Sequence, residues 1–237
     1  MKTLFRSFEM FLRQIWEDEM LVAVFIAPLL VACMFRFGLP SLESLLCGRF
    51  HQVSILSGYY LLFDLFLSIL TPYMFCFASA MVMLTEYDEN MTNYIAVTPI
   101  GRKGYLVSRL VFPSVISLVV SLLLMHWFTL AAWTFAVIVI ACLLNCIISI
   151  IAALFIFSFS HNRVEGLAVG KLSALIMAGL PVPFFLTSKV QYLFSFLPSF
   201  WITKLCLTNN LLFVLPAIAV SALWIWALYR KFVRKLN

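Results

Sequence analysis

Apolar residues in this chain come in runs too long and too unbroken for a water-soluble fold, and short polar interruptions set its organisation. The beginning differs. Leu4, Phe5, Phe8, Phe11, Leu12 and Ile15 fall on one helical face, and Lys2, Arg6, Glu9 and Arg13 on the other. That pattern predicts an amphipathic helix over residues 1–18, lying in the membrane interface as an elbow before the first crossing. Residues 20–37 are apolar except for Arg36 near the end, enough at ~1.5 Å per residue to cross a ~30 Å hydrocarbon core, with a kink expected at Pro28. Residues 39–54, which hold Glu43, Arg49 and His51, read as a short outer loop. The next run, 55–84, is long enough to tilt or to break near Pro72.

Runs 105–127 and 133–157 are separated by only a few residues, which predicts a tight helical hairpin. Asn145 lies well inside the second, where an amide is expected to bond to a neighbouring helix. A polar break at 158–165 precedes a fifth crossing that begins near Gly166 and loses helical continuity at Pro181 and Pro183. Residues 184–206 are apolar but divided by Lys189, Gln191, Pro198 and Lys204, too interrupted for a full crossing. The last crossing, 211–229, follows Thr208, Asn209 and Asn210 and ends in Arg230, Lys231, Arg234 and Lys235. The expected fold is all-α: a polytopic membrane protein with six transmembrane helices in one domain, 1–237.

Composition agrees, since 64% hydrophobic against 11% charged residues, with mean hydropathy +1.07, lies outside the soluble range. The net charge of +6 does not outline a nucleic-acid footprint, because the cations stand beside apolar runs instead of lining one face. They report topology. With both termini cytoplasmic, only Arg36, Arg49, Lys189 and Lys204 of the 16 basic residues lie outward. Trp127, Trp133 and Trp201 then fall near the outer interface, and Trp16, Trp224 and Trp226 near the inner one. The first apolar run follows Glu17, Asp18 and Glu19, so it reads as a retained span and not as a cleavable signal.

Catalytic signatures are absent. No G-x-x-x-x-G-K-[ST] occurs to cradle a nucleotide, no H-E-x-x-H to hold zinc, and His51, His126 and His161 are scattered. Of the six cysteines, Cys142 and Cys146 share a helix face and read as small core residues, while Cys47 and Cys206 both fall on outward segments. Asp64 is the one acid inside a span away from its ends. Two roles stand open for it: part of a transport pathway with Tyr59 and Tyr60, or packing, either paired with Arg36 or held against those tyrosines.

The main polar island covers residues 85–109. Thr85 followed by Asp88 fits the [ST]-x-x-[DE] helix start, and Glu86, Asp88 and Glu89 suit the positive end of a helix dipole. A short cytosolic helix is expected to run through Met91 and Tyr94 and stop near Thr98, because Pro99 and Gly101 follow.

An acidic cluster, a helix ending in Val97-Thr98-Pro99, a basic pair, and the Tyr105-Leu106-x-Ser108-Arg109 start of the next run together resemble the coupling segment of type-2 ABC exporter permeases. Residues 162–171, NRVEGLAVGK, followed by Pro181 and Pro183, resemble the second cytosolic loop of the same family, with drug and fluoroquinolone export permeases closest. Many relatives have a glycine where this chain has Asn90 and Met91. The resemblance implies a coupling segment at 85–104, outer re-entrant half-helices at 184–206, and ATPase contacts through Glu86, Tyr87, Asp88, Glu89, Tyr94, Thr98, Pro99, Asn162, Arg163 and Glu165. It implies no cofactor in this chain, ATP and Mg being bound by separate cytosolic ABC ATPase subunits. It further implies a second permease chain, identical or related, in a bacterial plasma membrane. The expected cargo is hydrophobic or amphipathic: a drug, peptide or lipid. Two other functions are compatible with the residues alone, a proton-coupled carrier using Asp64 and a polytopic membrane enzyme or assembly subunit.

Overall fold

A computed structural model describes residues 2–89, 104–105, 107–186 and 188–235, which are helical with short turns between. Helix α1 (Lys2–Glu17) lays Phe11 and Ile15 into the core and leaves Trp16 exposed. Asp18 caps α2 (Glu19–Cys33), its carboxylate accepting from the Met20 and Leu21 amides at 3.0 and 3.3 Å. The helix passes Pro28, continues as a π-helical turn (Met34–Gly38), and runs on as α3 (Leu39–Phe50). Residues 39–50 are therefore not the expected outer loop. Pro40 stands in the first turn of a new helix, where its missing N–H costs nothing, so it does not break the chain. The turn comes at 51–56, with His51 left-handed and Glu43 accepting from the Ile55 and Leu56 amides at 2.8 and 2.6 Å.

Helix α4 (Tyr60–Asp88) is the hub and packs on α2, α5 (Phe112–Phe128), α6 (Phe135–Phe159) and α7 (Arg163–Ser173). Its most apolar stretch is 78% buried, against 17% for the runs Glu19–Phe50 and Leu211–Lys235, so the first and last long helices turn apolar faces outward. Of the two alternatives for this run, tilt or a break near Pro72, the break does not occur. Proline cannot donate to the Ser68 carbonyl four residues back, but the Ser121 hydroxyl of α5 donates to it at 3.2 Å. The relation is reciprocal across the same interface. Pro113 of α5 cannot donate to the Arg109 carbonyl, and Ser79 of α4 does so instead.

The expected hairpin is present, with α5 and α6 joined by 129–134. Asn145 of α6 donates to Ser68 Oγ at 2.8 Å, the interhelical bond its position predicts. Helix α7 lies close on α4 through Gly166 and Gly170: a Cβ on the first would collide with Leu84, and one on the second would stand 2.6 Å from the Phe77 ring. That approach lets Tyr73 donate to the Gly170 carbonyl at 2.9 Å and bond Ser173 at 2.8 Å.

Past Ser173 the chain tightens into a 3-10 run (Ala174–Gly179) and a four-residue α8 (Val182–Phe185). With α7 before it, this stretch starts with Arg163 beside Asp18 and Asp88 and finishes with Phe185 stacked on Tyr59, at the other end of α4. It thus traverses the bundle as a broken element. Among the described residues five helices are long and apolar enough to cross a membrane, and this segment is not one of them. Helix α9 (Pro198–Thr208) buries Phe200, Ile202 and Leu205 against α6 and the 3-10 run, and the left-handed Asn209 turns the chain into α10 (Val214–Lys235).

Candidate functional site

The helix ends that meet at one end of the bundle carry most of its organised charge. Asp18 opens α2, Asp88 closes α4, Arg163 opens α7 and Lys235 closes α10. Asn162 caps α7, accepting from the Glu165 amide at 2.8 Å, while Glu165 accepts from the His161 amide at 2.7 Å. The pair is close to a capping box, except that the acid accepts from the amide of the residue before the cap. With its backbone so fixed, Arg163 donates its amide to Asp88 at 3.2 Å and its guanidinium to Asp18. One residue thereby ties three helices. Lys235 donates to the Phe157 and Ser160 carbonyls at the end of α6, which lack helical donors of their own.

One turn further into the bundle, Glu86 accepts from Tyr105 Oη at 2.9 Å and from Arg109 Nε at 3.1 Å, with the Arg109 Nη2 contact closer still. Both charged side chains are 1% exposed. The Arg109 guanidinium lies over the Phe11 ring at 5.3 Å, so α1 also closes over the pair. This is a desolvated, bidentate ion pair joining the end of α4 to the start of α5.

These contacts revise the reading of the 85–89 cluster. Thr85 does not start a helix: α4 runs through it to Asp88, and its hydroxyl donates to the Met81 carbonyl. Glu86 is buried and bound to Arg109, so it offers no surface for docking, because burial of its charge demands that partner. Tyr87 is half-buried, edge-on to Phe157, and Asp88 and Glu89 are exposed. Tyr94, Thr98 and Pro99 lie outside the described residues. The structure does join the two stretches singled out in the sequence, through Asp88 and Arg163.

At the opposite end Asp64 is fully buried. Its carboxylate accepts from the amides of Leu130 (3.0 Å) and Ala131 (2.9 Å) and from Trp133 Nε1 (2.9 Å). None of these hydrogen bonds comes from Arg36, Tyr59 or Tyr60, although the Arg36 charge is near enough to act on the carboxylate. Arg36 donates to the Thr129 carbonyl at 2.8 Å, and Tyr59 stacks on Phe185, so Asp64 and Arg36 each clasp the α5–α6 turn from a different helix. An unpaired backbone turn inside a bundle needs donors and acceptors from elsewhere, and these two residues supply them. Cys47 and Cys206 are both free, the second buried in α9, and Cys142 and Cys146 are core residues as expected.

Two features escaped the sequence reading. Gly166-x-x-x-Gly170 is a small-x-x-x-small spacing that marks close helix approach, and it could have placed α7 against another helix. The Glu86–Arg109 pairing had no local signal, because the residues lie on different elements. Among the described residues no cluster of His, Cys, Asp or Glu could hold a metal ion. Two of the cavities between helices are apolar: one of about 470 Å³ between α5, α6 and α10, and one of about 260 Å³ between α1, α2, α4 and α5.

Residues 11–229 match the family model described as "Fluoroquinolones export permease protein Rv2686c-like". The chain is similar to the fluoroquinolones export permease proteins Rv2686c and MT2760 of Mycobacterium tuberculosis, strains ATCC 25618 / H37Rv and CDC 1551 / Oshkosh. To each it is 23% identical over 198 residues, 81% of this chain and 77% of the relative. No solved structure matches.

Proposed function

The chain belongs to the Rv2686c-like fluoroquinolone export permease family, a family of membrane transport subunits, and from that premise we propose that it is the membrane-spanning half of an ATP-driven ABC exporter. A separate cytosolic ATPase docks on the charged end of the bundle, whose exposed groups include Asp88, Glu89 and the start of α7. The observation that carries this reading is the linkage at that end. A push on Asp88 or Arg163 reaches α2, α4 and α7 directly through the Asp18–Arg163–Asp88 contacts, and α5 through buried Glu86–Arg109. Rigid-body movement of a docked partner is transmitted to helices in this way, as alternating access requires.

Both termini are cytoplasmic in this reading, α1 lies in the interface as an elbow, and the broken element from α7 to α8 makes the sixth crossing. A second permease chain completes the pathway, because the apolar cavities of one chain are shallow and open between helices. The cargo is hydrophobic or amphipathic, in keeping with those apolar walls.

The reading is tested by coexpression with a candidate ATPase encoded alongside. Asp88→Lys with Glu89→Lys, both exposed, should leave membrane insertion intact and abolish ATPase co-purification or cargo-stimulated hydrolysis. Unchanged co-purification together with unchanged stimulation refutes the docking site.

A further inference from the structure

Beyond the apolar turns of α10 a cavity of about 880 Å³ opens between the ends of α10 and α6. Its wall carries Arg230, Lys231, Arg234 and Lys235, with Tyr87 and Trp226 beside them. Four cations within six residues repel one another, and a bound anion relieves that repulsion. Among the described residues none of the four has a carboxylate within 4.0 Å. Asp88 and Glu165 act on Lys235 from outside the cavity lining, but Asp88 already binds the Arg163 amide and Glu165 the His161 amide.

The cations rest on aromatic rings instead: Arg230 over Trp226 at 3.9 Å, Lys231 over Phe159 at 3.2 Å, and Lys235 over Tyr87 at 4.4 Å. Such contacts orient a cation without consuming its hydrogen-bond donors. Lys235 spends its donors on the end of α6. Arg230, Lys231 and Arg234 are exposed and keep theirs toward the cavity.

A second observation specifies the anion. Leu215, Leu223 and Trp226 are 58–69% exposed, and with Arg230 and Arg234 they follow helical spacing along one face of α10. That face is apolar for its membrane length and cationic beyond Trp226. A free phosphate would fill the cationic part and leave the stripe unused. A phospholipid uses both, with acyl chains along the stripe and a phosphodiester at the depth where the arginines begin. We propose that this groove is a specific site for an anionic glycerophospholipid of the leaflet at that end of the bundle, bound by Arg230, Lys231 and Arg234. Because Tyr87 of α4 lines the same cavity, an occupied site joins the outermost helix to the hub.

The test uses the full chain purified into zwitterionic phosphatidylcholine, with phosphatidylglycerol or soluble glycerol phosphate added, and reads retained lipid by native mass spectrometry and the thermal unfolding midpoint. Phosphatidylglycerol should be retained and should raise the midpoint, and glycerol phosphate at the same concentration should do neither. Combined Arg230→Gln, Lys231→Gln and Arg234→Gln should abolish retention while the midpoint in pure phosphatidylcholine stays unchanged. Should the triple variant fail to insert, single Arg230→Gln and Arg234→Gln variants carry the test, each weakening apparent affinity about five-fold. Equal retention of phosphatidylcholine, or wild-type retention in the charge variants, overturns the proposal. Displacement of the lipid by glycerol phosphate overturns it in favour of a soluble anion site.

Discussion

Glu86 and Arg109, 23 residues apart in sequence, face each other across the α4–α5 interface with both side chains 1% exposed. Truncating either partner leaves the other as an uncompensated buried charge, at a cost of about 3–5 kcal/mol. Arg109→Met and Glu86→Leu should each lower the unfolding midpoint of the purified protein sharply. The combined variant, an apolar pair of similar volume, should be more stable than either single one. Additive losses in the double-mutant cycle would show that the charges do not act as a pair.

The proline-freed carbonyl at Ser68 gives a second cycle. Ser121→Ala removes its donor and should cost about 1 kcal/mol in wild-type background. Pro72→Ala restores a backbone N–H four residues on, so Ser121→Ala should then be close to neutral. Unfolding midpoints of the four proteins check this, and an equal loss in both backgrounds argues against the bond.

Asp64→Asn separates structure from proton coupling. Three N–H donors converge on a carboxylate, and an amide offers them one oxygen and a mismatched NH₂. The variant should lose about 1–3 kcal/mol of stability. In vesicles with the candidate ATPase, ATP supplied and the pH gradient collapsed, cargo export should continue in wild type and in Asp64→Asn. If wild-type export stops without the gradient, the ATP-driven reading is wrong.

Topology is checked with cysteine labelling. Glu89 is exposed at the charged end, and Cys47 lies in α3 at the other. A membrane-impermeant thiol reagent on intact cells should modify Cys47, half-buried beside Glu43, slowly. It should modify Glu89→Cys only after the membrane is opened. Labelling of Glu89→Cys in intact cells inverts the orientation.

The sequence by itself determined that this is an all-helical membrane chain, where most of the apolar runs lie, that the runs at 105–127 and 133–157 form a hairpin, and that Asn145 bonds a neighbouring helix. These follow from hydrophobic run length and from the cost of an unbonded amide, which are local quantities. Pro72 left two outcomes open, a tilted helix or a broken one; whether a helix breaks depends on what meets the freed carbonyl, and Ser121 comes from another helix. The same limit applied to charge. Glu86, Asp88 and Glu89 are alike in sequence, and only the fold placed Arg109 against the first while leaving the others exposed. Asp64 was recognisable as exceptional, yet its donors sit 66 to 69 residues away, all on the α5–α6 turn. In a bilayer the run of apolar residues fixes that a segment crosses, because each unpaired backbone group is costly there. Which polar side chain answers which freed backbone group is a pairwise match between distant elements, and only the packed bundle decides it.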